Sequence, residues 1–209
     1  MATQLVDIEC PNCGATVGTG QKTCEYCKQP VIISTFNSVY AMPMPMVSKY
    51  ANAYRQVLAG NPDDQTINNS LAMCYLKLKL HDKALSAFEK AMEDNFDNSE
   101  TFFYAAICLL GGKKAFLAQR PAIDKMQEYI NAALMITPTK GIYHYLLAYI
   151  KYDYFSRKCF NTTPIWQEAL AAANAAGESP SPLDIEQFWG ILGVECPAVL
   201  YPFSNIPNA

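Results

Sequence analysis

Residues 65–98 read QTINNSLAMCYLKLKLHDKALSAFEKAMEDNFDN. Small and large residues recur there at helical spacing: Leu71, Ala72 and Tyr75, then Ala84, Phe88 and Ala91. This is the order of a helix–turn–helix unit, with small side chains where paired helices approach and Tyr75 and Phe88 filling the space between layers. A 34-residue step carries Ala72 to Ala106 and Cys74 to Cys108, so the unit has a successor. Pro62, a helix-ending proline before the unit, becomes Phe96 at the same step. Pro138 and Ala148 then fall 42 residues beyond Phe96 and Ala106, which places an eight-residue insertion at Gly111-Gly112 through Pro121. A third unit is expected from Gly141, with a first helix through Phe155, a loop over Cys159 to Pro164 and an alanine-rich helix ending near Gly177. Lys49 to Ala59 reads as a lone second helix upstream. Downstream, Ser181-Pro182-Leu183-Asp184 is an N-cap with proline in the first turn and opens a short last helix carrying Phe188 and Trp189.

Over about 140 residues the pattern resembles the tetratricopeptide repeat (TPR), most closely at 65–98. The resemblance implies an α-solenoid whose concave face, lined by the first helix of each unit, takes an extended peptide or a helix from a protein partner. The positions that face the ligand in that family include Asn69, Met73, Phe103, Ile107, Tyr145 and Tyr149. Family members that clamp a carboxylate tail use Lys, Asn and Arg there. Only Asn69 fits, so that ligand class is disfavoured, and an apolar, tyrosine-rich stripe suits an amphipathic helix or an aromatic-containing peptide. The same residues serve equally as core, buried against the linker, the C-terminal tail or a second copy of the chain as a homo-oligomer. The tail itself, with spaced apolar residues and prolines that block a helix, resembles an extended groove ligand.

At the other end, Cys10-Pro-Asn-Cys13-Gly14 and Cys24-Glu-Tyr-Cys27-Lys28 are two tight pairs ten residues apart. Each C-x2-C turn points two thiolates to one side, and two such knuckles close a tetrahedron around one metal ion. Apolar residues of this segment (Leu5, Val6, Ile8, Val17, Val31, Ile32, Ile33) supply roughly 10–15 kcal/mol on burial. Ordering its backbone costs about 25 kcal/mol, and the difference is on the order of the 10 kcal/mol a structural zinc contributes. The segment resembles the short bacterial four-cysteine zinc ribbon, with Lys28 where that family usually has a second glycine. The resemblance implies one structural Zn²⁺ held by Cys10, Cys13, Cys24 and Cys27. Four thiolates leave no open position for catalysis, although spacing alone leaves iron as an alternative ion.

The expected fold class is therefore mainly α: a TPR-like α-solenoid of helix–turn–helix repeats with a small N-terminal β zinc ribbon. The expected parts are the ribbon at 1–35, a Met/Pro linker at 36–47, the repeats at 48–196 and a tail at 197–209. Met42-Pro43-Met44-Pro45-Met46 argues for an extended spacer, since alternating prolines oppose helix and central strand. Ribbon and repeats are expected to own separate cores.

Composition narrows function. Of 209 residues, 51% are hydrophobic and only 17% charged, with net charge −3, so no global pull toward nucleic acid or anionic membrane is expected. The ribbon carries Asp7, Glu9 and Glu25 against Lys22 and Lys28. A phosphate-binding surface needs clustered cations, so nucleic-acid binding is the runner-up rather than the leading use. No basic-then-apolar leader opens the chain, no apolar run reaches the ~20 residues of a membrane span, and a cytoplasmic location is expected. No phosphate-cradling glycine loop, G-x-S-x-G or H-E-x-x-H is present. The leading function is a non-catalytic adaptor or scaffold.

Overall fold

The computed structural model describes residues 7–18, 20–93 and 96–201. Leu5, Val6 and the tail beyond Tyr201 lie outside the described residues. The fold is mainly α, TPR-like helix pairs preceded by a two-stranded antiparallel ribbon. Strands β1 (Asp7–Glu9) and β2 (Thr16–Gly18) pair with Ile8 opposite Val17, both buried. Nine α-helices follow among the described residues: α1 (Phe36–Tyr40), α2 (Met44–Gly60), α3 (Gln65–Lys77), α4 (His81–Met92), α5 (Ser99–Cys108), α6 (Arg120–Ile136), α7 (Gly141–Ile150), α8 (Trp166–Ala175) and α9 (Pro182–Leu192). The chain divides into two compact units, Met1–Cys108 and Leu109–Ala209.

Segment 36–47 is not an extended spacer. It forms α1 and the first turn of α2, separated by a short break. The prolines explain the change: Pro43 is the N-cap of α2 and Pro45 lies in its first turn, where a backbone donor has no helical partner to lose. The Pro43 carbonyl accepts from the Met46 and Val47 amides at 2.9 and 3.1 Å, starting the helix the prolines were expected to forbid.

In the first unit, ribbon and helices share one core. Val31, Ile33, Phe36 and Val39 are buried with Tyr50 and Tyr54 of α2 and Ile67, Ala72 and Met73 of α3. The helices grip the chain leaving the ribbon through its main chain. Tyr50 donates its hydroxyl to the Pro30 carbonyl and Tyr54 to the Val31 carbonyl, both at 2.7 Å. Ser70 donates to Ile33 at 3.1 Å, and the Lys77 ammonium to Tyr40 at 2.6 Å. The hairpin α3–α4 carries the unit onward to α5, where Tyr104 meets Phe36 at 5.3 Å and Phe88 at 6.3 Å between ring centres.

The second unit begins with the expected insertion, an irregular stretch containing one 3₁₀ turn at Ala115–Leu117. Ile123, Met126, Ile130 and Ala133 form the buried face of α6. Helix α7 pairs with α8, and their ends nearly touch at Gly141. A Cβ there would stand 2.5 Å from the Ala173 carbonyl oxygen and 2.9 Å from that of Glu178. Helix α7 runs on into a π turn at Lys151–Ser156. Ser181 caps α9, accepting from the Asp184 amide while Asp184 accepts in return, as its sequence predicts.

Candidate functional site

The two cysteine pairs fold into two copies of one turn. The Cys10 amide donates to the Ala15 carbonyl and the Gly14 amide to the Cys10 carbonyl; the Cys24 amide donates to Gln29 and the Lys28 amide to Cys24, all at 2.8–2.9 Å. Gly14 and Lys28, the residue after each second cysteine, take φ of 75° and 60°. The left-handed turn aims both sulfurs of a pair to one side.

All four Sγ atoms lie within 4.8 Å of one another. Cys10 and Cys27 are 3.6 Å apart, and Cys13 and Cys24 3.7 Å. Disulfide sulfurs sit near 2.05 Å, so these are free thiols across a shared centre. A tetrahedron with metal–sulfur bonds of about 2.3 Å has edges of roughly 3.8 Å, close to these separations. Cys10 and Cys24 are buried, Cys27 is half-buried and Cys13 is exposed. Backbone amides tune the set: the Gln29 amide, then the Asn12 side chain, lower Cys27 to about 6. At Cys13 the Ala15 amide also acts to lower the thiol, but burial and the three neighbouring sulfurs outweigh it and push Cys13 up to about 12. Thiols so close ionise together only around a cation, and the donor set fits a soft or borderline metal ion.

The six expected partner-binding residues are distributed over both units, and each is buried. Asn69 and Met73 lie on α3, Phe103 and Ile107 on α5, Tyr145 and Tyr149 on α7. Asn69 accepts from the Thr101 hydroxyl at 3.0 Å. Tyr145 donates to the Leu200 carbonyl at 2.7 Å and accepts from the Trp189 indole N–H at 3.2 Å. The chain beyond Cys196 therefore already covers Tyr145 as far as Leu200, which is itself fully buried. Tyr149 holds the insertion: its hydroxyl accepts the Ala115 amide at 3.1 Å and donates to Asp153 at 3.4 Å. Burial raises both phenol pKa values.

Sequence reasoning missed Asp153. Only 2% exposed, its carboxylate accepts from the Phe116 amide at 2.8 Å and from Arg157 at 2.5 Å. A carboxylate in an aromatic helix, four residues before an arginine, was the available signal. Among the described residues no helix is long and apolar enough to cross a membrane.

No protein-family model matches the chain, and comparison with curated proteins finds no match. Among solved structures, it is similar to MamA MSR-1 at 16% identity and a TM-score of 0.49, covering 67% of this chain and 88% of that one. It is also similar to MamA AMB-1 in two crystal forms, at 19% identity and TM-score 0.47 over 71% of this chain and 82% of that one, and at 17% and 0.46 over 69% and 89%. Likeness at this level says nothing of partner or activity.

Proposed function

We propose that the chain is a non-catalytic protein-interaction adaptor: TPR-like helix pairs engage a protein partner, and a ribbon stiffened by one structural Zn²⁺ on Cys10, Cys13, Cys24 and Cys27 adds a second surface. The observation that carries the reading is the fastening of a four-thiol centre onto helical hairpins through Tyr50, Tyr54 and Ser70. A structural ion suits that role, because it fixes a small surface that lacks core enough to fix itself. Metal is tested by elemental analysis of native protein. One zinc per chain, lost in Cys24→Ser, is expected; iron instead of zinc, or a full equivalent retained by the variant, rejects this assignment.

The residues proposed to meet a partner are Asn69, Met73, Phe103 and Ile107 within the first unit and Tyr145 and Tyr149 within the second. Their burial means that a partner reaching Tyr145 competes with residues 197–201. Affinity purification of the full chain from its own cells, with mass spectrometry, is expected to return a stoichiometric partner bound more tightly after truncation at Cys196. Recovery of the chain alone as a discrete homo-oligomer would replace the adaptor reading with self-assembly. Submicromolar binding to generic DNA or RNA with a steep salt slope would replace it with a nucleic-acid factor.

A further inference from the structure

Lys151 opens the π turn at the end of α7 and is only 4% exposed. Its ammonium donates to the Thr162 hydroxyl at 2.5 Å and stands 4.7 Å from the centre of the Phe155 ring. Among the described residues no carboxylate pairs with it. Arg120 lies over the same ring at 5.2 Å and is paired with Asp124. Burial, and then Arg120, lower the Lys151 pKa. A buried ammonium without an anion is costly, which is why buried charges are normally paired.

Lys151 lines an open cavity of about 510 Å³, within the size range of small-molecule sites. Ser156, Asn161 and Gln167 bring neutral polar groups to it, and Phe160, Ile165 and Trp166 give it apolar walls. No carboxylate lines it; Glu168, next to Gln167, turns to the Ile165 amide at 3.0 Å, and Asp153, two residues from Lys151, accepts from the Phe116 amide and Arg157. One buried cation balances one negative charge, which favours a monocarboxylate over a phosphate dianion. The apolar walls favour an organic body behind the charge.

We propose that this cavity binds an organic monocarboxylate, its carboxylate paired with Lys151 and its apolar body against Phe160, Ile165 and Trp166. The site is separate from the adaptor reading and stands or falls without it.

The test is titration of the full chain with sodium benzoate, followed by calorimetry and tryptophan fluorescence. Trp166 lines the cavity whereas Trp189, the other of the chain's two tryptophans, is buried against Tyr145 and Tyr149. Saturable binding is expected, at least tenfold weaker in Lys151→Met and absent with benzyl alcohol, which has the same ring without the charge. Gln167→Glu, an exposed substitution that puts a negative charge on the lining, is expected to weaken benzoate to a similar degree and keeps the test open if Lys151→Met fails to fold. N-acetylphenylalanine bound tighter than benzoate would identify a peptide end as the source of the carboxylate, and the reverse order a free acid. No saturable response, equal binding of benzyl alcohol, a preference for inorganic phosphate, or wild-type affinity in the folded variants would overturn the proposal.

Discussion

Gly14 and Lys28 occupy equivalent places in the two knuckles, and both are held in the left-handed region. For Lys28 that conformation costs about 1–2 kcal/mol, offset in part by the smaller backbone freedom of lysine in the unfolded chain. Lys28→Gly is therefore expected to raise the stability of the first unit by about 0.5–1 kcal/mol in denaturant melts. Gly14→Ala should lower it by about 1 kcal/mol, even though nothing lies within 4 Å of the added Cβ. That open space leaves backbone strain as the cause at Gly14, so an unchanged Gly14→Ala would mean the first knuckle is not strained. The clustering of the four cysteines and the Gly14 turn were legible from spacing, because a C-x2-C knuckle is a local motif. Tyr149 was not legible. Its place in the repeat left groove and core equally open, and its hydroxyl also holds the insertion through Ala115, a contact between residues 34 apart that no local pattern records.

Helix ends set the next level. Gly60 closes α2 with nothing within 4 Å of a Cβ and an ordinary φ, so Gly60→Ala should stabilise α2 by about 0.5–1 kcal/mol. Gly141 is its opposite. A Cβ at 2.5 Å from the Ala173 carbonyl forces α7 and α8 apart, and Gly141→Ala should cost the second unit about 1–3 kcal/mol, read by thermal melting. A neutral Gly141→Ala would mean that the two helix ends are looser than their backbone approach shows. Helix positions were readable from period and caps: α3, α4, α8 and α9 fall where small residues, the insertion count and Ser181 place them. The Met/Pro segment was misread because proline forbids a helix interior but favours a first turn, and sequence alone does not say which turn a proline will occupy.

At the scale of the whole chain, the four-cysteine centre and the helices are linked in the first unit. Separate cores would let a chelator unfold the ribbon and spare every helix. Instead Val31, Ile33 and Phe36 are buried among the helices, and Tyr54→Phe alone would leave the Val31 carbonyl without its buried donor, at a cost of about 1–3 kcal/mol. Chelation is thus expected to strip hydrogen-exchange protection from α1, α2 and α3 along with the ribbon, while α6–α9, with their own buried core, keep theirs. Loss confined to residues 7–35 would restore the picture of independent parts. Periodicity revealed that repeats exist; it could not reveal that the segment after the ribbon packs among the first helices, because that packing joins residues of unrelated local pattern.

The donors that hold the chain after the ribbon (Tyr50, Tyr54, Ser70 and Lys77) all end on main-chain carbonyls. A carbonyl is the same whatever side chain it belongs to, so this attachment does not read the identity of the residues it holds. Outward positions such as Glu25 and Tyr26, the latter 68% exposed, are free to be rewritten without disturbing the mount. The first unit is, in engineering terms, a socket: a display library randomised at those positions should fold at near-parental yield while its members differ in what they bind.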